Sequence, residues 1–398
     1  MEIRLCEKEE CTGCGSCVAK CPLNCIEFSL DELDNVYPKI NIDKCAKCGS
    51  CVKVCPSIKE NQIVLNAPIK AYAVWNKNSE IRRKSASGGA AAGLYQYAYE
   101  KGYVCYGVCW ENGNLIYRAA LKDEKPWELF QNSKYSFVDT SSKFAEIDKF
   151  LKANKKVLCI GLPCQIAGLK KYIGKTYDTL LTVDLICHGN CSDIYLKQHI
   201  SKIENITKQK TEKVYFRNPN FETDKFHFTL ENNKGIFWDK IVHSDDEYQI
   251  GYHNAITYRE NCYSCRYATS SRCSDIMIGD YWLLGSKIPF NYSNKKVSLV
   301  YTCTNKGENF LSDTTNYLDI FERPIEESLE SQGQLNHPSS KSKRHYIFVR
   351  EYKKTHDFNR AMRKAVWLDI YCNKMGIRNQ LNFIRKVINK VRKVVVRE

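Results

Sequence analysis

Eight cysteines near the start of the chain carry the clearest chemistry. They fall in "CTGCGSCVAKCP" (residues 11–22) and "CAKCGSCVKVCP" (residues 45–56), two copies of C-x2-C-x2-C-x3-C-P offset by 34 residues. Spacing this close lets three thiolates of one loop bind three irons of a 4Fe-4S cubane, while the fourth cysteine, followed by proline, turns towards the other cluster. The pattern predicts one cluster on Cys11, Cys14, Cys17 and Cys55 and a second on Cys45, Cys48, Cys51 and Cys21. Gly15 and Gly49 follow the second ligand of each copy, where a missing Cβ lets the backbone turn tightly beside the sulfurs. Structural zinc knuckles are the competing reading, although they use two C-x2-C pairs rather than four cysteines per loop. Cys6 and Cys25 lie outside the pattern and read as ordinary buried thiols.

A second set is spread through the middle of the chain. "KVLCIGLPCQIAGLKKYI" puts Cys164 on a turn between an apolar run and a helical pattern, "LLTVDLICHG" ends in Cys187 and His188, and "CYSC" supplies Cys262 and Cys265. A cysteine placed like Cys164 is open to four roles: nucleophile, half of a disulfide, metal ligand or inert core thiol. Two strand-end cysteines with one C-x2-C pair make a four-thiolate site able to hold a 4Fe-4S cluster or zinc. Cys273, eight residues beyond Cys265, is a further thiol that competes for a place in it. The two upstream clusters favour iron–sulfur, because the electrons they carry need a receiver.

These residues require a scaffold, and the hydrophobic pattern supplies one. "FAEIDKFLKANKKVLCIGLPCQIAGLKKYI" reads as helix, strand, turn and helix, and "LLTVDLICHG" as the next strand, so an α/β core is expected. Ligands of open α/β sheets bind outside the carboxyl ends of the strands, where Cys164 and Cys187 fall. Upstream, "SASGGAAAGLYQYAYEKG" predicts a tight turn feeding a helix that stops at Gly102, with first-turn N–H groups free for an anion. Neither G-x-G-x-x-G after a strand nor a P-loop occurs.

Composition bounds the setting. The 398 residues, 26% charged and 43% hydrophobic, suit a soluble chain of two to four domains. The acidic, cysteine-rich start lacks the basic-then-apolar run of a secretory signal, and no stretch approaches eighteen apolar residues. Twenty-one cysteines, an odd number at metal-ligand spacings, fit a reducing, cytoplasmic compartment. The net charge of +15 is concentrated in residues 339–398, which hold seventeen Lys and Arg against four Asp and Glu. No base-reading motif accompanies that excess, so a nucleic-acid partner is not expected. Ile377, Leu381, Ile384, Ile388, Val391 and Val395 recur at helical spacing there, a stripe fit to pack on the body, to dock a partner, or to lie on the inner face of an anionic membrane.

Residues 1–62 resemble a bacterial-type dicluster ferredoxin in both cysteine runs. Beyond them, "SASGG" (85–89), "NSKYSFVDT" (132–140), the Cys164 and Cys187 stretches, "CYSC" and "SDIMIGDYW" (274–282) occur in an order similar to the beta-subunit family of coenzyme F420 hydrogenases and dehydrogenases. The resemblance implies a mixed α/β (α+β) catalytic body behind the ferredoxin domain. The expected organisation is a ferredoxin-like domain 1–62, the N-terminal domain of the beta-subunit family 63–150, its C-terminal domain 151–338 and a basic helical tail 339–398. The resemblance also implies an iron–sulfur flavoprotein oxidoreductase with FAD and a third 4Fe-4S cluster on Cys164, Cys187, Cys262 and Cys265. The organic acceptor is then coenzyme F420 or another metabolite, surface-polysaccharide synthesis being one setting, and the redox partner is a ferredoxin or a hydrogenase or dehydrogenase subunit. Ser87, Gly88, Gly89, Lys134, Tyr135, Asp275 and Asp280 fall in stretches that it places near flavin or substrate, and His188 is the candidate proton donor. The alternative class is an electron-transfer subunit with no substrate of its own, serving a partner enzyme.

Overall fold

The computed structural model describes residues 5–221, 226–292 and 296–374; the apolar stripe from Ile377 to Val395 lies outside them. Thirteen strands are present among the described residues: β1 Ile26–Leu30, β2 Val36–Ile40, β3 Lys70–Asn76, β4 Val104–Glu111, β5 Asn114–Ala119, β6 Val157–Gly161, β7 Leu180–Leu185, β8 Lys213–Tyr215, β9 His227–Asn232, β10 Gly235–Ile241, β11 Ile276–Asp280, β12 Ser298–Thr302 and β13 Leu318–Arg323. Eight of them form one mixed sheet in the order β13-β3-β12-β11-β7-β6-β4-β5. Its centre, β11-β7-β6-β4, is parallel, and the flanking strands pair antiparallel.

β6 is buried along its whole length, as its near-continuous apolar run requires of a parallel strand covered on both faces. Side chains alternate across the pleat. Leu158 and Ile160 pack with Leu94, Tyr95, Leu181 and Ile278 on one face, while Val157 and Cys159 pack with Phe144, Ile147, Ile166 and Leu169 on the other. Gly161 of β6 pairs with Asp184 of β7, so the loops leaving these parallel strands emerge side by side. Those loops carry Cys164 and Cys187.

A smaller antiparallel sheet, β10-β9-β8, packs in another core with the helices Asp193–Thr207, Lys343–Thr355 and Phe358–Lys374. Phe348, Tyr352, Phe358 and Met362 are fully buried there. The first part of the basic C-terminal segment is therefore core structure, with its cationic side chains on the outer face. No helix among the described residues is long and apolar enough to cross a membrane.

The N-terminal unit consists of the β1–β2 hairpin and the short helices Ser16–Lys20 and Ser50–Lys53. Gly15 and Gly49 precede these helices with left-handed φ of 73° and 74°, which glycine adopts without the Cβ penalty. The unit is fastened to the helix Pro163–Ile173 by Ser16 Oγ donating to Gly168 O at 2.8 Å and Lys20 Nζ donating to Tyr172 O at 2.9 Å. Gly168 is needed for this approach: a Cβ there would stand 2.8 Å from both Cys14 Cβ and Ser16 Oγ. Gly168→Val is expected to cost about 1–3 kcal/mol through overpacking. That corresponds to a thermal midpoint lower by roughly 2–4 °C per kcal/mol in a domain of about 200 residues, readable by calorimetry. An unchanged midpoint would mean that this packing contributes nothing.

Candidate functional site

Cys164 is the second residue of the helix Pro163–Ile173, which starts directly after β6. Pro163 has φ already set for a helix start. Gln165 fixes the turn from within: its Oε1 accepts from Leu162 N–H at 2.9 Å and its Nε2 donates to Val138 O at 2.9 Å. Cys187 follows β7, Cys262 lies in the 3-10 turn Glu260–Ser264, and Cys265 ends that turn. All four cysteines line one small cavity, together with Thr12, Leu162, His188, Arg259, Asn261 and Tyr267. Burial pushes the Cys164 thiol well up, and the neighbouring Cys265, Cys187 and Cys262 add to this. A thiol so placed is a poor free nucleophile. Cys273 is buried nearby but outside this cavity wall, its Sγ 4.0 Å from Pro163 O.

Several polar atoms around this cavity are buried without a partner: Thr12 Oγ1, Asn261 Oδ1, Tyr267 OH, and Nε and Nη1 of Arg259. Unpaired buried groups are costly, and four thiols with polar atoms facing one cavity fit a bulky anionic cluster. Among the described residues no three His, Cys, Asp or Glu side chains converge as they would on one bare ion.

The structure brings one set of N-terminal cysteines to a common cavity. Cys11, Cys14, Cys17 and Cys55 line a single cavity with Thr12, Gly13 and Gly15. Cys6 lines it too, in contact with Cys11 and Cys55; it is no ordinary core thiol. In the other group, Cys21 and Cys51 are buried, Cys45 is partly exposed and Cys48 is exposed. Cys25 is drawn into this group, its Sγ 3.3 Å from that of Cys21. The signal for both extra thiols was closeness in sequence to a ligand, which the repeat pattern does not weigh.

A larger cavity of about 260 Å³ opens beyond the carboxyl ends of the parallel strands. Ser87, Gly89, Lys134, Tyr135, His188 and Asp280 line it, whereas Gly88 and Asp275 stand outside its wall. Gly88 is packed on the sheet, where a Cβ would lie 2.4 Å from Val74 O. Asp275 ties strands together, accepting from Thr182 N–H at 2.9 Å, Thr182 Oγ1 at 2.7 Å and Thr304 Oγ1 at 2.9 Å. Lys134 directs its three N–H bonds to the carbonyls of Phe130, Gln131 and Asn132, and burial lowers its pKa to about 7. Burial first, and then Arg217, lower the pKa of His188.

Gly89, with φ 89°, precedes the helix Ala90–Glu100, and Ala91 and Ala92 of its first turn border the cavity. Amides of a first helical turn have no intrahelical acceptor and favour an anion. Opposite, Arg217 pairs with Asp280 at 2.7 Å and lies over the ring of Tyr135, which stacks on Tyr252. Arg217 Nε and Ser136 Oγ remain unpartnered at this wall. Arg217 and Tyr252 were invisible in the sequence, because an isolated residue has no spacing to mark it.

The three cavities are contiguous. Thr12 borders both the Cys11 cavity and the four-cysteine cavity, and Leu162, Cys187 and His188 border both the four-cysteine cavity and the large one.

Residues 154–328 match the family described as the C terminus of the coenzyme F420 hydrogenase/dehydrogenase beta subunit, and residues 10–58 match the 4Fe-4S dicluster domain. No curated protein gives a significant match. Among solved structures, a chain of the F420-reducing NiFe hydrogenase complex from Methanosarcina barkeri is similar over 74% of this chain and 91% of that one, at 19% sequence identity and a TM-score of 0.44.

Proposed function

We infer an iron–sulfur flavoprotein oxidoreductase that exchanges electrons between a redox partner protein and an organic acceptor; the matches of residues 154–328 to the C terminus of coenzyme F420 hydrogenase/dehydrogenase beta subunits and of residues 10–58 to the 4Fe-4S dicluster domain support this reading. When bound, the clusters supply single-electron transfer, and FAD gathers two electrons for reduction of the acceptor. Cys164, Cys187, Cys262 and Cys265 would hold the third cluster, and the eight N-terminal cysteines the other two.

For the flavin, Ser87, Gly89 and the first-turn amides of Ala91 and Ala92 offer an anion site, with Ser136 and Arg217 supplying the unpartnered donors. Tyr95, Trp127, Phe130 and Tyr252 add aromatic surface to the same cavity. His188, on the wall shared by two cavities, is placed to hold or release a proton there. Coenzyme F420 is the first acceptor to try.

The contiguity of the three cavities carries this reading. A carrier without a substrate needs thiolate sites close together but has no use for a large cavity beside the innermost one. Anaerobic purification with iron, sulfide and flavin analysis tests it. The expected content is about twelve irons per chain, as three cubanes require, and one FAD. About eight irons would remove the third cluster, and no flavin after reconstitution would remove the flavoprotein reading.

A further inference from the structure

Arg259 is among the largest fully buried side chains of the protein, 1% exposed. It sits where the N-terminal unit meets the body. Its Nη2 donates to Val36 O at 2.9 Å and to Cys11 O at 3.4 Å. The guanidinium lies over the rings of Tyr37, at 4.8 Å, and Phe137, at 5.2 Å. A Cβ on Gly13 would come within 3.1 Å of Nη2. The side chain lines the four-cysteine cavity, and its Nε and Nη1 have no partner.

Among the described residues no carboxylate pairs with it, in contrast to Arg272, which is equally buried and bonds Asp184 at 3.1 Å. An arginine stays charged at any relevant pH, and a buried charge without a counter-charge is strongly unfavourable. Two aromatic faces and two carbonyls soften that cost without neutralising it. The groups able to neutralise it are those that bring negative charge to this spot: four thiolates in the cavity that Arg259 lines, and four more in the cavity whose Cys11 it bonds.

We propose that Arg259 is the shared counter-ion of the two cluster sites on either side of it, raising the reduction potential of both and holding the dicluster unit in place for transfer between them. The proposal rests on the third-cluster reading above. Its basis is electrostatic: a reduced cluster carries one more negative charge than an oxidised one, so a fixed cation beside it favours the reduced form, net charge and hydrogen bonding being among the protein's controls on these potentials. Arg259 is thus a positioning and tuning residue, and touches no acceptor.

The test compares full-length Arg259→Lys and Arg259→Gln with the parent chain, each reconstituted anaerobically, by iron content and by a redox titration followed by electron paramagnetic resonance. Glutamine keeps a donor for Val36 O but removes the charge; lysine keeps the charge and loses the fork. The expected result is that Arg259→Gln shifts the reduction equilibrium of the affected clusters about tenfold towards the oxidised form, about 59 mV for one electron, while Arg259→Lys stays close to the parent. Where Arg259→Gln instead fails to retain iron, retention by Arg259→Lys supports the role of charge equally well. Equal behaviour of the two variants, or unmoved potentials in a fully loaded Arg259→Gln, would overturn the proposal. A parent chain holding only about eight irons would instead overturn the third-cluster reading itself.

Discussion

Cys164→Ala is expected to lower bound iron by about four atoms per chain, the content of one cubane, and to leave about eight on the N-terminal cysteines. The substitution is mild for the fold: alanine is the best helix former, and Cys164 is the second residue of a helix whose start is set by Pro163 and Gln165. Loss of iron would then report a lost ligand rather than a lost structure. Cys273→Ala is the matched control. Cys273 is buried beside the start of the same helix yet outside the four-cysteine cavity, so its removal should leave iron unchanged. Colorimetric iron on both variants decides the matter: unchanged iron in Cys164→Ala, or a loss of four in Cys273→Ala instead, would reassign the ligand set.

Asp184→Ala should destabilise the chain by about 3–5 kcal/mol, the usual cost of leaving one partner of a buried ion pair uncompensated. Asp184 and Arg272 are both fully buried and 3.1 Å apart, and Ser274 Oγ donates to the same carboxylate at 2.8 Å. Arg272 in turn donates to the carbonyls of Thr269 and Ser271, so the pair pins the segment between Cys265 and β11 against β7. Burial pushes Asp184 up to about 6 even with Arg272 and Ser274 pulling the other way. Asp184→Asn, which keeps an acceptor for Ser274, should lose less than Asp184→Ala. Denaturant unfolding of both variants measures the difference; equal midpoints for Asp184→Ala and the parent would show that Arg272 finds another partner.

Much of this arrangement could be read from residue types and spacing. The repeat marks the eight N-terminal cysteines as one set, and the apolar runs "KVLCI" and "LLTVDL" announce two buried strands with a cysteine just beyond each. Whatever depends on a single residue meeting a distant one stayed hidden. Arg259 and Arg217 look like surface cations in sequence, yet one is buried between two units and the other crosses a cavity to Asp280. Gly88 and Gly89 read alike as members of one loop, but Gly88 serves strand packing and Gly89 the helix start. Within the basic tail, Phe348, Tyr352, Phe358 and Met362, spaced along the two helices, fill a core that the Lys and Arg content of residues 343–366 does not announce.

The uneven exposure of the N-terminal thiols bears on how the protein fares in air. Cys11, Cys14, Cys17 and Cys55 are buried, whereas Cys48 is open to solvent, and susceptibility of a cysteine to oxidation follows its exposure. Oxygen or peroxide arriving from outside meets the Cys48 site first, so oxidative damage is expected to begin there and to reach the buried sites last.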